Sequence, residues 1–198
     1  RRQGSAARAW DEDRFATQIV EVNVPVVDED GTVTGETQRV SKDGGIRPTT
    51  LEALSQLSPV MDDGVHTAGA SSQISDGSGA VLMMTAENAA EQGLEPFARS
   101  IDTCRVGSDP GLMLTGPIEA TRHLLERNQM GMSDIDVVEI NEAFASVVLA
   151  WAREMNPDMD SVNPNGGAIA LGHPLGGTGS ILMTKALHEL HRSDKEFG

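Results

Sequence analysis

"DVVEINEAFASVVLAWAREM", residues 136–155, joins a short apolar run to a longer stretch with helical periodicity. The run at 136–140 is rich in β-branched residues, which favours a buried strand. The stretch from Asn141 to Met155 predicts a helix that follows the strand at once. A strand leading directly into a helix is typical of an α/β layer structure, in which helices cover a sheet.

The same alternation extends over the rest of the second half of the chain. Apolar runs predict strands at 78–85 and 97–107, and helical patterns cover 86–93, 115–131 and 180–191. The first part of the chain predicts a helix within 5–17, strands at 19–27 and 32–40, and a short helix within 49–60. Pro25 indicates that the strand at 19–27 lies at a sheet edge. We therefore expect an α/β fold.

Composition narrows the class of protein. A chain of 198 residues can form one large domain or two small ones, and 38% hydrophobic residues fit a globular protein. The net charge of -15 argues against a nucleic-acid binder, because phosphates would be repelled, although a local basic pocket for one anionic cofactor stays compatible. No apolar run approaches the ~18–20 residues of a membrane-spanning helix.

The chain contains one cysteine, Cys104, which cannot form an internal disulfide. This fits a reducing compartment, so we expect a cytoplasmic location. The sequence begins at Arg1 without a methionine, and a removed leader or further upstream sequence remains open.

A second stretch, "GGAIALGHPLGGTG" at 166–179, places His173 within a run of six glycines. Gly172 and Gly177 have the outer spacing of a nucleotide P-loop, but Thr178 stands where the lysine would be, and no G-x-G-x-x-G pattern is present. The run is therefore not a nucleotide-binding fingerprint. A histidine on a glycine-rich turn is the more specific signal.

Asn141 follows the predicted strand at 136–140, and the carboxyl ends of strands are where open α/β sheets bind ligands. Taken alone, Asn141 also fits the N-cap of the following helix, and His173 also fits a structural histidine. Each residue precedes a predicted helix, and the pair together favours a functional site.

Three sequence blocks resemble signature blocks of the thiolase family. They are "TAGASSQISDG" at 67–77, "NEAFA" at 141–145 and "GGAIALGHPLGGTG" at 166–179, and they occur in the family's order. Ketosynthases share the fold but usually have a second histidine where Asn141 stands, and sterol-carrier-type thiolases have a different tetrapeptide there. The chain is thus most similar to ordinary thiolases, over nearly its whole length.

The resemblance implies cleavage of a 3-oxoacyl-CoA by CoA, or the reverse condensation. This chemistry uses a cysteine nucleophile activated by a histidine, an oxyanion site, and a second cysteine as acid and base. By motif, His173 would activate the nucleophile and stabilise the thioester oxygen, and Asn141 would hold a water that completes the oxyanion site. The glycines would let the pantetheine arm reach the histidine.

The same resemblance implies contacts with coenzyme A, which is a substrate here and not a permanently bound cofactor. Ala70 and Gln73 replace an asparagine and a glycine of the family's first block, so details around the pantetheine can differ. A solvated surface role for Arg47 and plain core roles for the apolar residues stay open. The residues expected to contact CoA are Ser72, Arg47, Ala68, Gly69, Met113, Ala143 and Phe144.

Cys104 lies in "SIDTCRVG", which lacks the family's cysteine motifs, and we expect it to be a small apolar residue without a catalytic role. The histidines form no metal-ligand pattern, so no metal is predicted. With one cysteine, the 198 residues alone are expected to be inactive. A non-catalytic CoA-binding or partner subunit remains the alternative function.

The resemblance also implies the architecture. The complete enzyme would have a layered αβαβα fold, of which this chain is the C-terminal half plus the tail of a loop domain. We expect residues 1–75 to be that tail, 76–96 the last strand and helix of the first half, and 97–198 most of the second half. The nucleophile segment would precede these residues, and a Cys-x-Gly segment would follow Gly198. CoA and acyl-CoA are the expected partners, with a homodimer or homotetramer as the assembly.

Overall fold

A computed structural model describes residues 1–198 and contains seven α-helices and one β-hairpin. Two single 3₁₀ turns, Ala68–Ala70 and Met132–Asp134, lie between them. The elements are α1 (Arg2–Asp11), β1 (Val22–Val27), β2 (Val33–Val40), α2 (Leu51–Ser55), α3 (Ala86–Glu91), α4 (Gly116–Arg127), α5 (Ala145–Met155), α6 (Ala168–Leu171) and α7 (Thr178–Ser193).

The predicted hairpin is confirmed. Strands β1 and β2 pair antiparallel from Val22 opposite Val40 to Val27 opposite Val33, with a register shift between Pro25 and Val27. Asp28 closes the turn, since its carboxylate accepts from the backbone N–H groups of Asp30 and Thr32 at 3.0 and 2.8 Å. The two strands of the hairpin form a separate two-stranded sheet and do not pair with any segment of the second half of the chain.

The core lies where the run at 136–140 meets helix α5. Ile140, Val148, Trp151 and Val162 are buried together. The Trp151 indole N–H donates to Thr121 Oγ1 at 2.9 Å, which satisfies the one polar atom of this side chain and joins α5 to α4. The core therefore fixes the end of the run at 136–140, and with it the position of Asn141, the next residue.

Three predicted strands have less β-structure than the sequence indicates. The run at 136–140 forms one parallel bridge, between Val138 and Val162. The runs at 78–85 and 97–107 have no strand pairing, so these two predictions are wrong for this chain. Apolar residues on them stay exposed, including Leu82 at 80% and Ile101 at 55%. A strand requires a hydrogen-bonding partner, and a local pattern does not supply one.

The predicted helices are present with shifted ends. Helix α1 begins three residues before the predicted range and packs on α6, with Ala6 and Ala9 fully buried. Thr50 caps α2, its hydroxyl accepting from the Ala53 N–H at 3.1 Å. None of the helices combines the length and apolarity that crossing a membrane requires.

Candidate active site

Two turns, distant in sequence, meet beside the core. Asn141 follows the run at 136–140, and His173 follows the short helix α6. Asn141 Nδ2 lies 3.4 Å from His173 Nε2, and both residues are half-buried. The two residues singled out from separate sequence blocks therefore share one site.

The hydrogen bonds of His173 define its tautomer. His173 Nδ1 lies 2.7 Å from Thr178 Oγ1, and the Thr178 hydroxyl donates to the Pro174 carbonyl at 2.9 Å. With its one hydrogen directed to the Pro174 carbonyl, the hydroxyl accepts from His173, and on this arrangement we place the imidazole proton on Nδ1. We therefore assign the lone pair of the neutral imidazole to Nε2, where it faces the Asn141 amide. A nitrogen held this way can accept a proton from a thiol.

Asn141 is not the N-cap of α5. The helix begins at Ala145 and its N-cap residue is Phe144, so the capping interpretation of Asn141 is wrong. The Asn141 Oδ1 atom is buried and has no hydrogen-bond partner. Such an atom is costly unless a water or a ligand satisfies it. Asn141 is therefore free of a helical role and has an acceptor available at the site.

Buried Glu142 ties the two turns together. Its carboxylate is fully buried, and it accepts from Asn163 Nδ2 at 2.8 Å and from the Ile169 backbone N–H at 3.2 Å. Arg2 of α1 supplies the opposite charge, with its Nε 2.5 Å from the carboxylate. Asn163 in turn accepts from the Ile140 N–H at 2.8 Å. The end of the run at 136–140 and the start of the His173 turn are thus fixed through one carboxylate.

A second buried ion pair lies behind the first. Lys185 of α7 contacts Glu139 at 2.6 Å and donates to the Gly166 carbonyl at 2.5 Å. Burial raises the pKa of the Glu139 carboxyl, and the Lys185 ammonium opposes that rise. Lys185 therefore anchors the beginning of the glycine run to α7.

Close packing accounts for most of the glycine run at 166–179. A Cβ atom added at four of its six glycines would meet another part of the chain. These contacts are Gly166 with Ala6, Gly167 with the Glu142 carboxylate, Gly172 with the Ser75 hydroxyl, and Gly177 with the Gly77 carbonyl. Gly176 and Gly179 face open space. The expectation that glycines let a pantetheine arm approach His173 therefore stays a prediction, and only for Gly176 and Gly179.

The block at 67–77 runs along the same turns. The Ser72 N–H donates to the Ala143 carbonyl at 3.0 Å, and Ser71 forms an antiparallel bridge with Phe144. The Gln73 carbonyl accepts from the His173 N–H at 3.0 Å. Ser72, Ala143 and Phe144, which were expected to contact CoA, are therefore neighbours of the Asn141–His173 pair.

The other expected CoA contacts lie less close to that pair. Gly69 faces α2, because an added Cβ would come within 2.5 Å of the Leu54 side chain. Ala68 is exposed beside it in the 3₁₀ turn. Met113 is 58% exposed in a turn of its own, with φ +55°. Arg47 is exposed and reaches the block at 67–77 through Gln73, with Nη2 3.2 Å from Gln73 Oε1.

Cys104 contacts a different histidine from the one at the site. Its Sγ is 3.9 Å from His123 Nδ1, and His123 lies on α4. The thiol is half-buried, so the expectation of an interior apolar residue holds only in part.

Sequence reasoning missed the residues that position the pair. Glu142, Asn163 and Thr178 are buried polar side chains with hydrogen bonds to the two turns. Glu142 stands inside the "NEAFA" block, and Asn163 comes shortly before the glycine run. Polar residues within apolar or glycine-rich runs are the signal that could have identified them, since buried polar groups are nearly always hydrogen-bonded.

Glu142→Ala is expected to destabilise the protein by about 3–5 kcal/mol, because it leaves the Arg2 guanidinium, 11% exposed, without its partner. Urea unfolding of the product of the complete reading frame measures the change. Glu154→Ala is the matched control, since Glu154 pairs with Arg122 at the surface and should cost less than about 1 kcal/mol. Equal losses in both variants would contradict the role assigned to Glu142.

Models of two thiolase domains match most of the chain. The model of the thiolase C-terminal domain matches residues 94–198, and that of the thiolase N-terminal domain matches residues 1–87. A steroid 3-ketoacyl-CoA thiolase of Mycobacterium tuberculosis is 48% identical over 167 residues, covering 84% of this chain and 41% of that protein. A 3-ketoacyl-CoA thiolase of Bacillus subtilis is 42% identical over 198 residues, covering 98% of this chain and 51% of that protein.

Solved structures give the same result. The acetyl-CoA acetyltransferase of Bacillus anthracis superposes with a TM-score of 0.88 at 36% identity, covering 98% of this chain and 48% of that one. Human mitochondrial 3-ketoacyl-CoA thiolase superposes with a TM-score of 0.85 at 34% identity. The chain spans about half the length of these relatives. Its sequence and its thiolase-like α/β fold together show that the chain belongs to the thiolase family.

Proposed function

We propose that this chain supplies the histidine and asparagine of a thiolase active site, in a protein that transfers an acyl group between a 3-oxoacyl-CoA and CoA. The observation that carries the proposal is the direct contact of Asn141 Nδ2 with His173 Nε2, 3.4 Å apart, the nitrogen to which we assign the lone pair. Family membership supports it, because relatives over the same residues are named as thiolases.

His173 is the base in this proposal. Its Nε2 takes the proton of a cysteine thiol, and the thiolate attacks the 3-oxo carbon of the substrate. The carbon–carbon bond then breaks, the acyl group stays on sulfur, and a second cysteine protonates the departing acetyl-CoA carbanion. The CoA thiol passes its proton to the second cysteine, now a thiolate, and attacks the acyl carbonyl. The first cysteine leaves as a thiolate and regains its proton from His173, and the acyl group departs on CoA as a new thioester. Protonated His173 can also donate to the developing oxyanion.

Asn141 completes the oxyanion site. Its buried Oδ1 has no partner within the chain and can accept from a water, whose other hydrogen would face the thioester oxygen. A non-catalytic CoA-binding subunit would need neither the assigned tautomer of His173 nor an unpaired asparagine oxygen beside it. This favours the enzyme over the alternative.

CoA would lie along the block at 67–77. Ser72, Ala143 and Phe144 are proposed to contact the pantetheine, because their backbones join the block to the Asn141 turn. Ala68, Gly69 and Met113 are kept as contacts on the family resemblance. Arg47 is proposed for the phosphates, since a guanidinium suits them.

The proposed substrate class is a 3-oxoacyl-CoA. The acyl group is left unspecified, because one relative is named for a steroid substrate and another for 3-oxoadipyl-CoA. Three further expectations stay predictions. They are the domain boundaries (1–75, 76–96 and 97–198), the cytoplasmic location, and assembly as a homodimer or homotetramer. Thiolysis of acetoacetyl-CoA and of a longer 3-oxoacyl-CoA by the product of the complete reading frame tests the function. Binding of CoA without turnover of either substrate would favour the non-catalytic subunit.

Asn141→Ala is expected to lower kcat by roughly one to three orders of magnitude, as loss of one oxyanion-site contact does. The KM for CoA should change little, because the amide contacts the reacting oxygen through water. Steady-state thiolysis measures both constants. Asn88→Ala on the exposed face of α3 is the control, and equal kcat values in the two variants would remove Asn141 from the mechanism.

A further inference from the structure

Gln73 joins three segments that are distant in sequence. Its side-chain Nε2 lies 3.0 Å from each of three carbonyl oxygens, those of Gly45, Ile169 and Ala170. Its Oε1 accepts from Arg47 Nη2 at 3.2 Å. One half-buried amide therefore connects the loop that carries Arg47 to the end of helix α6.

The end of α6 needs such a donor. The helix has four residues, and the N–H groups of Ala170 and Leu171 both bond to Gly167. The carbonyls of Ile169 and Ala170 therefore have no partner within the helix, as expected for a C-terminus. His173 cannot bond back to Ile169, because its N–H donates to the Gln73 carbonyl. Gln73 thus satisfies the helix end with its side chain and holds His173 with its backbone.

Arg47 is free to meet an anion. Its N–H groups donate to neutral amides only, the backbone N–H to Gln3 Oε1 at 2.8 Å and the guanidinium to Gln73 Oε1 at 3.2 Å. Gln3 also donates to the Ile169 carbonyl, at 3.3 Å. An exposed arginine side chain has many rotamers, and ordering it costs conformational entropy on binding. The Gln73 oxygen reduces that cost by holding the guanidinium in one direction.

We propose that Gln73 is a positioning residue, which orients the Arg47 guanidinium toward the phosphates of the acceptor CoA from the same helix end that presents His173. The inference rests on the proposed thiolase function and adds a residue that acts through Arg47. Gln73 itself contacts neither the thiol nor the acyl group in this arrangement.

The experiment varies the acceptor thiol at saturating 3-oxoacyl-CoA, in the product of the complete reading frame. Gln73→Ala should raise the KM for CoA roughly three- to tenfold, and Arg47→Ala roughly tenfold or more, as expected for a neutral and a charged hydrogen bond. The double variant should have the same KM for CoA as Arg47→Ala, because Gln73 acts on CoA binding through the guanidinium, although its lost bonds to Ile169 and Ala170 would lower stability in both Gln73 variants. Gln38→Ala on the exposed strand β2 serves as the control.

Pantetheine as acceptor separates positioning from a structural role, since it has the thiol without the nucleotide phosphates. Its KM should be the same in wild type, Gln73→Ala and Arg47→Ala. A Gln73→Ala variant that loses rate equally with both thiols, or whose effect adds to that of Arg47→Ala, would overturn the inference. If the wild type cleaves no 3-oxoacyl-CoA with either thiol, the proposed function itself fails, and with it the role of Gln73.

Discussion

Replacing His173 with alanine is expected to reduce thiolysis by the product of the complete reading frame by about 10⁴-fold or more, the loss found when a residue acts in several steps of one mechanism. The assigned tautomer directs the basic Nε2 toward Asn141 and away from Thr178. The variant therefore loses the proton acceptor for the nucleophile and the donor to the oxyanion together. His173 is the one histidine hydrogen-bonded to Asn141.

Single-turnover acyl transfer from acetoacetyl-CoA measures this effect directly, because it isolates formation of the acyl-enzyme from release of product. CoA affinity should stay near that of wild type, since the expected CoA contacts lie on the block at 67–77. His123→Ala is the control, because His123 lies on α4 beside Cys104 and outside the site. Acyl-enzyme formation at a near-normal rate in His173→Ala would exclude the proposed role.

The sequence singled out Asn141 and His173, which the structure brings together, whereas it did not indicate the residues that hold them in place. Asn141 and His173 lie in short blocks whose order and composition are specific to a family. Glu142 holds these blocks in place through Arg2, and the two residues are 140 positions apart. No local pattern encodes a contact of that separation. The same applies to Gln73, whose amide contacts Gly45 and Ala170.

The fold shows the same division between local and distant information. Thr50 and Thr85 cap their helices as a local rule predicts, and the hairpin follows from its turn residues. The runs at 78–85 and 97–107 have strand composition but no pairing. Composition reports how a residue fits a pleated, buried surface, and the partner strand must come from elsewhere in three dimensions.

The glycine run is a case in which the sequence suggested a functional reason and the structure supplies a structural one. Gly167 has no room for a Cβ, because the Glu142 carboxylate occupies that space. Gly166 has φ +89° and lies against Ala6 of α1. Gly167 therefore leaves room for the buried Glu142 carboxylate and Gly166 for the packing of α1, and the effect of either on a substrate would be indirect.

Expressed on its own, the 198-residue chain is expected to show no thiolase activity. The proposed mechanism uses a cysteine nucleophile and a second cysteine at the α-carbon, and this chain contains one cysteine. Cys104 lies near His123 and has no contact with His173. His173 cannot replace the missing nucleophile, because its Nε2 must take a proton from sulfur for the reaction to begin. Acetoacetyl-CoA thiolysis by a chain of verified mass measures the result.

The isolated 198-residue chain should also be less stable than the product of the complete reading frame. Phe97 is 51% exposed, Leu82 is 80% exposed, and neither run that carries them has a paired strand. Unpaired backbone and exposed apolar side chains favour association between chains, so the isolated chain should elute as a mixture of sizes in gel filtration.

Cys104→Ser in the product of the complete reading frame is the control for this prediction. If Cys104 has no catalytic role, the variant should retain thiolysis close to the wild-type rate, because the thiol lies beside His123 and does not contact His173. Loss of activity in Cys104→Ser, or turnover by the isolated chain at rates near those of the complete product, would contradict the argument. The two outcomes differ in meaning. The first would make Cys104 a catalytic residue, and the second would mean that one thiol, with Asn141 and His173, is sufficient for the reaction.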